Sequence, residues 1–266
     1  MKIATFNVNS INARIENLCK WLKSDAPDIV LLQEIKSEFN NFPFFELQTC
    51  GYNAAILGQK SYNGVAVLSR GKIKVIHENL PSFPDEQARF LEADIILNNH
   101  NYRVASVYVP NGNPPYNNAA DTSKFDYKLQ WMDAFVEHVK SLSQISQPTI
   151  IGGDFNVIMS AKDVWDTKPF IGNALFRSEV QNRLKKLAFY GFYDAFRCLS
   201  PDDSGYTFWD YTSNSFQADY GMRIDYLWLN APAVDNLISC IVDKNPRQND
   251  KPSDHTPLIA ELAQNV

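Results

Sequence analysis

Apolar residues fall into short dense runs separated by polar turns. Each run has either the two-residue period of a half-buried strand or the 3.6-residue period of a helix. The chain opens on KIATFNV, residues 2–8, an apolar and β-rich segment. Ser10 stands where it can cap a helix whose Ile11, Ile15, Leu18 and Leu22 share one face. The tripeptide APD ends that helix, and IVLLQ reads as a buried strand. GVAVLSR alternates in the strand period, while ARFLEADIIL and YRVASVYV read as two strands joined by a turn at NNHN. A long helix is predicted over residues 124–142, with Phe125, Leu129, Met132, Val136 and Val139 on its apolar face. PTIIGG follows as a strand, and a helix over residues 179–190 has Ser178 as its cap and Gly191 as its stop. YTFWDY, RIDYLWLN and HTPLIAEL close the chain as strands.

The order is strand, helix and several strands, then roughly the same again. Two such halves predict an α/β protein: a four-layer α/β sandwich of two packed, mixed and largely antiparallel β-sheets flanked by helices. It is expected to be a single domain over residues 1–266. The hairpins require antiparallel pairing, so a purely parallel doubly wound sheet fits poorly.

The polar residues at the strand ends change the picture from architecture to chemistry. Asn7 follows KIATF, Glu34 follows IVLLQ, Tyr108 lies near the end of RVASVYV, and Asp154 and Asn156 follow TIIGG. Asp225 and the pair Asp254-His255 do the opposite and stand at the beginnings of strands. If the two groups of strands run in opposite senses, all of these side chains meet at one rim. Taken singly, each has an ordinary explanation: GGDFN is most often a turn with Asp and Asn bonding their own backbone, Glu34 a solvated carboxylate, Asp254 a loop cap. The convergence is the signal. The other histidines, His77, His100 and His138, have no polar constellation beside them in sequence and are expected to be structural or exposed.

Composition narrows the field. No charged-then-apolar leader opens the sequence and no apolar run approaches a membrane span, so a soluble, non-exported, cytoplasmic protein without a membrane partner is expected. The cysteines, Cys19, Cys50, Cys198 and Cys240, are far apart and form no CxxC, which argues against a disulfide framework or a zinc site. A net charge of −5 disfavours a strongly basic, sequence-independent nucleic-acid binder, and the basic runs at 177–186 and 244–251 read as solvated faces on charge alone. Neither point excludes an enzyme that meets phosphate through metal ions.

Carboxylates with amide oxygens suit hard cations, chiefly Mg²⁺, with Mn²⁺ as the substitute. Hydrolysis of a phosphodiester needs an aligned and deprotonated water, neutralised charge on phosphorus and a stabilised leaving oxygen. The rim supplies groups for each. Metal-free acyl transfer is weaker, because there is no G-x-S-x-G and no cysteine near a histidine. P-loop and dinucleotide signatures are also missing.

KIATFNVNSINAR, DIVLLQE, YVPNG, GGDFNV, RIDYLWL and SDHTPL occur in an order that resembles the exonuclease III branch of abasic-site endonucleases, within the endonuclease/exonuclease/phosphatase superfamily. The resemblance covers nearly the whole chain. It implies Glu34 as principal ligand of one or two Mg²⁺ ions, with Asn7, Asp154, Asn156, Asp254 and His255 in the ligand set. Asp154 resembles the group that orients or deprotonates the attacking water, supported by Asn156. His255 resembles the phosphate-binding histidine with Asp225 as its partner, and either Asp154 or His255 can be the general base. Tyr108 resembles the phenol that contacts the scissile phosphate.

The same resemblance implies double-stranded DNA with abasic or 3′-blocked sites as partner, a monomer, cleavage 5′ to the abasic site, 3′-end trimming and 3′–5′ exonuclease activity. Phe208, Met222 and Ile224 match the apolar pocket for a base-free sugar turned out of the helix, and Arg223 between them is counted as a substrate contact. Trp209 reads as core. Two departures stand out. Met222 takes a place where some relatives carry tryptophan, giving a softer wall. The loop NGNPPYNNAADTSKFDYK lacks the early arginine that some relatives insert into DNA, so Lys124 and Lys128 are expected to serve the phosphates. The alternatives are a superfamily phosphoesterase acting on an inositol phosphate or lipid head group, and a catalytically dead nucleic-acid-binding scaffold.

Overall fold

In the computed structural model of the chain, which describes residues 1–114 and 122–264, the elements run in this order. They are β1 (Lys2–Asn7), α1 (Ile11–Ser24), β2 (Ile29–Gln33), α2 (Phe44–Thr49), β3 (Asn53–Leu57), β4 (Val65–Ser69), β5 (Lys72–Glu78), β6 (Phe90–Leu97) and β7 (His100–Tyr108). There follow α3 (Ser123–Leu142), β8 (Thr149–Asp154), α4 (Ser178–Phe189), β9 (Phe192–Asp194), α5 (Ala195–Leu199), β10 (Asp225–Asn230), α6 (Ala231–Val234), β11 (Leu237–Val242) and β12 (Leu258–Leu262).

The strands form two six-stranded sheets, ordered β11-β12-β1-β2-β4-β3 and β5-β6-β7-β8-β10-β9. In each sheet one central pair is parallel, β1 with β2 and β7 with β8, and is connected through a helix, α1 or α3. The remaining pairs are antiparallel. Three apolar layers follow from the alternation of the strands. Ile3, Leu31, Val67, Ala93, Val104 and Leu227 fill the space between the sheets. Ala4, Val30, Leu32, Leu18 and Trp21 join the first sheet to α1 and α2. Ile151, Tyr226, Trp131, Phe135 and Leu184 join the second sheet to α3 and α4. The expected four layers are therefore present.

Several local expectations are corrected. Ser10 has φ 84° and caps nothing with its side chain. Instead the amides of Ser10 and Ile11 donate to the carbonyls of Glu34 (2.7 Å) and Ile35 (3.0 Å), tying the start of α1 to the end of β2. Ser178 is the first helical residue of α4, not its cap. Gly191 does stop that helix, with φ +80° and its amide on the Ala188 carbonyl. YTFWDY is no strand; Phe208 makes only isolated bridges to Met222 and His255. The turn at Asn98-Asn99 has φ 51° and 65°, the two left-handed residues of a tight hairpin.

The expected strand PTIIGG is present. Gly152 and Gly153 lie inside β8. A Cβ on Gly153 would stand 1.9 Å from the Val107 carbonyl oxygen, and one on Gly152 would meet Leu227 and Leu31 at 2.7 Å. These glycines let β8 press against β7 and the opposite sheet immediately before Asp154. Gly153→Ala is expected to lower unfolding free energy by about 3 kcal/mol, read by chemical denaturation.

His138 is buried and structural, one of the two outcomes expected of it: its Nε2 lies 2.6 Å from Glu92, which Arg103 also holds at 2.6 Å. The four cysteines are free thiols. No helix among the described residues is long and apolar enough to cross a membrane.

Candidate active site

The strand directions bring the polar ends to one rim. Parallel β1 and β2 pair Asn7 with Gln33, so Asn7 and Glu34 emerge together. In the second sheet Tyr108, Asp154 and Asp225 are cross-strand neighbours in one row. β12 runs antiparallel to β1, so His255, just before it, returns to the same edge.

One side chain ties the two sheets at this rim. Asn7 Nδ2 donates to Glu34 Oε1 (2.8 Å) and to Asp154 Oδ2 (2.9 Å). The same Asp154 oxygen lies 3.6 Å from His255 Nε2. The other ring nitrogen, Nδ1, is 2.8 Å from Asp225 Oδ2, which also accepts from Thr207 Oγ1 (2.6 Å). Asp225 Oδ1 is buried with no hydrogen-bond partner. Tyr108 has the Arg89 guanidinium over its ring at 4.8 Å. Phe208 meets the His255 ring edge-on at 4.9 Å.

The backbone under this cluster is strained. Asn9, Ser10, Glu34, Lys36 and Asn156 all have left-handed φ, between 44° and 84°. Such residues cost on the order of 1 kcal/mol or more each and persist only where the surroundings over-determine them. Here the turn after β2 is held by Val8 N–H on Gln33, Ile35 N–H on Gly64 and Lys36 N–H on Asn63.

Burial and neighbours move the titrations apart. Burial raises the Asp154 carboxyl, and the nearby charges of Asp225 and Glu34 raise it further against the opposing pull of His255. His255 moves up as well: burial opposes, but Asp225 and Asp154 hold its proton. Glu34 moves down, because hydrogen bonds from Asn7 and Lys36 and the charge of Lys36, 2.8 Å away, outweigh its burial. Burial, then Glu34 and Asp154, lift Tyr108 well above an ordinary phenol, so it remains an O–H donor.

The residues fit a hard cation. Ligand atoms of Glu34, Asp154 and His255 lie within 4.8 Å of one another. Two carboxylates this close, one of them lifted by burial and by its acidic neighbours, are the donor chemistry that a divalent ion relieves. The other residues of the expected ligand set make hydrogen bonds around this cluster. Asn7 turns its amide nitrogen to the carboxylates and its oxygen to the Asn9 amide (3.0 Å). Asn156 donates to the Val109 carbonyl and accepts from Asn111, each at 3.0 Å, while its backbone amide holds Asp154 Oδ1. Both therefore position carboxylates. Asp254 accepts from Asn9 Nδ2 (3.0 Å) beside the cluster.

Among the expected substrate contacts, Lys128 and Arg223 are misplaced. Lys128 is fully buried, and its Nζ donates to the carbonyls of Asn156 (2.7 Å), Asn111 (3.1 Å) and Ala174 (3.3 Å). It supports the Asp154 turn from beneath and cannot reach DNA. Arg223 is equally buried, paired with Asp163 (2.6 Å) and Asp194 (2.7 Å), because a buried guanidinium needs carboxylates. Lys124 is exposed beside Arg89 and Asn111. The loop that follows the Tyr108 strand lies in part, over residues 115–121, outside the described residues. Phe208, Met222 and Ile224 belong to a small apolar cluster with Ile158, Val164 and Leu175, separate from the three main layers and next to His255. Trp209 is core, as expected.

Asn9, Lys36, Thr207 and Arg89 also shape the site and escape a reading of strand ends. Asn9 and Lys36 sit only two residues beyond Asn7 and Glu34, which is the available signal; Thr207 and Arg89 carry none.

The chain matches the Endonuclease/Exonuclease/phosphatase family over residues 4–255. It is 30% identical over 270 residues to the exodeoxyribonuclease III of Haemophilus influenzae, covering 98% of this chain and all of that one. Its fold superposes on the 3′ phosphatase NExo from Neisseria, bound to a product DNA hairpin, with TM-score 0.92 and 33% identity over 99% of this chain and 100% of that one. An AP endonuclease from Archaeoglobus fulgidus gives TM-score 0.90 and 32% identity, covering 98% of this chain and 99% of that one.

Proposed function

The chain belongs to the endonuclease/exonuclease/phosphatase family, and within it we propose that the protein is a Mg²⁺-dependent DNA repair nuclease. It hydrolyses the phosphodiester 5′ to abasic sites, trims 3′-blocked ends, and degrades duplex DNA from the 3′ end. The observation that carries this reading is the single Asp154 oxygen shared between Asn7 at 2.9 Å and His255 at 3.6 Å, with Glu34 in the same cluster. The similar proteins described as exodeoxyribonuclease III, 3′ phosphatase and AP endonuclease support DNA as the substrate.

Glu34, with Asp154 and Asp254 beside it, would hold the ion, which when bound neutralises negative charge building on the phosphate. Asp154 orients the attacking water and takes its proton; a carboxyl lifted toward neutral pH is better matched to that task than an ordinary one. Asn7 and the Asn156 amide keep Asp154 aimed. His255, held protonated by Asp225, grips a non-bridging phosphate oxygen and acts there as a cation. The Tyr108 hydroxyl donates to the same phosphate. The Phe208, Met222 and Ile224 cluster receives a base-free sugar, which leaves the helix at low cost because no base has to be unpaired.

A panel of abasic, 3′-phosphate and intact duplexes with Mg²⁺, beside an inositol phosphate, tests the assignment. Incision 5′ to the abasic site and release of the 3′-phosphate, with the inositol phosphate untouched, is expected. Hydrolysis of the inositol phosphate with every duplex intact would replace the DNA reading.

A further inference from the structure

A second cationic feature stands beside the rim. Arg247 is 8% exposed and lines a cavity of about 500 Å³ with Tyr211, Phe216, Asn214, Gln217 and Gln248. Its guanidinium lies over the rings of Tyr211 (5.2 Å) and Phe216 (5.3 Å). Nη2 donates to the Trp209 carbonyl (3.0 Å), and Nε is buried with no partner. Among the described residues, no carboxylate pairs with it. Asp210, on the cavity wall, holds the Thr212 amide and hydroxyl at 2.7 Å with one oxygen.

The contrast with other arginines is sharp. Arg103, Arg197 and Arg223 are each closed by carboxylates at 2.6 Å. Arg89 also lacks one, but Gln87 and the Tyr108 carbonyl occupy its donors, and it stands within the rim already described. Burial pulls the Arg247 pKa down, with Tyr211 and Asp254 opposing, as expected for a charge with no partner in contact. A buried, unpaired guanidinium is costly unless an anion completes it. The two aromatic rings restrict the fork, and the surrounding carboxamides add donors, which suits phosphate.

The cavity is coupled to the catalytic cluster by short paths. The Trp209 peptide accepts from Arg247 through its carbonyl, and the Trp209 amide donates to the Asp254 carbonyl (2.9 Å). Asn9 Nδ2 reaches both Asp254 (3.0 Å) and the Tyr211 hydroxyl (3.4 Å). The cavity is thus linked through Trp209, Tyr211 and Asn9 to Asp254, the residue before His255.

We infer that the Arg247 cavity holds a backbone phosphate of the bound DNA strand flanking the scissile one, with the guanidinium fork as its grip. The inference rests on the nuclease reading and goes beyond it by assigning a second phosphate site. It makes Arg247 a substrate-positioning residue, so its effect falls on binding and not on the chemical step.

The test uses the intact chain in chelator, so that DNA is bound but not cut. Duplexes carrying one abasic site have single phosphates neutralised in turn as methylphosphonates. One flanking position is expected to weaken binding to the unaltered protein about tenfold, and to have no further effect on Arg247→Gln. That variant is also expected to raise KM about tenfold at unchanged kcat in Mg²⁺, and to lower the salt slope by about 0.9. If the glutamine variant does not fold, Arg247→Lys, which keeps the charge and loses the fork, gives the same comparison. The inference is overturned if every neutralised position weakens both proteins alike. It is also overturned if inorganic phosphate stabilises the unaltered protein through Arg247 while no DNA position depends on it. Failure of the unaltered protein to bind any duplex would instead strike the nuclease reading, and this one with it.

Discussion

Asp154→Asn is expected to lower kcat by about 10³-fold, within the range that a positioned acid or base contributes, while DNA affinity changes little. Asparagine keeps the shape of the side chain but cannot take a proton. In the protein one Asp154 oxygen already meets the Asn7 amide and faces His255, and the other accepts the Asn156 amide at 3.0 Å. The loss therefore isolates proton transfer and charge, not collapse of the turn. Single-turnover cleavage of abasic-site duplex, with binding measured separately, separates the two. A variant within tenfold of the unaltered rate would remove Asp154 as the group that activates water, and His255 would then have to be the base.

Asp225→Asn is expected to act through the imidazole. Asp225 is the main group holding the His255 proton, through the 2.8 Å contact at Nδ1 and through its charge. The folded-state pKa of His255 is raised, so the protonated, phosphate-gripping form persists through neutral pH and is lost as pH rises through that pKa. Removing the Asp225 charge lowers the pKa, so the alkaline limb of kcat/KM moves to lower pH and the plateau falls about a hundredfold or more. His255→Ala abolishes that limb and costs kcat far more than it costs affinity, since the contact strengthens in the transition state. A pH profile identical to that of the unaltered protein would show that the pair does not set the active charge state.

Much of this site was legible before any coordinates because strands deliver side chains to predictable places. Asn7, Glu34, Tyr108 and Asp154 follow apolar runs, Asp225 and His255 precede them, and opposing strand directions do the rest. What strand ends do not reveal is where a side chain turns. Asn7 and Asn156 sit where ligands were expected; Asn7 turns its side-chain amide to Glu34 and Asp154, while Asn156 turns its own to the Val109 carbonyl and holds Asp154 through its backbone amide.

Lys128 was readable and misassigned. It lies three residues after Phe125 and four before Met132, on the apolar face of α3, which explains its burial. Arg223 gives no such sign, because its partners Asp163 and Asp194 come from distant segments. The glycines before Asp154 read as the end of the strand PTIIGG; their use there, as the absence of a Cβ between packed strands, depends on contacts from Val107, Leu31 and Leu227. The short or half-exposed strands β3, β9 and β11 were missed because edge strands carry little alternation, as the mixed exposure of Leu237–Val242 illustrates.

The most direct measurement is cleavage of a duplex bearing one abasic site by the purified chain, with Mg²⁺ and then with excess EDTA. Incision on the 5′ side of the lesion in Mg²⁺, and an intact strand in EDTA, is the predicted result. Full turnover in EDTA, or an abasic duplex left whole in Mg²⁺, would contradict a carboxylate rim built to hold a divalent ion against a DNA phosphate.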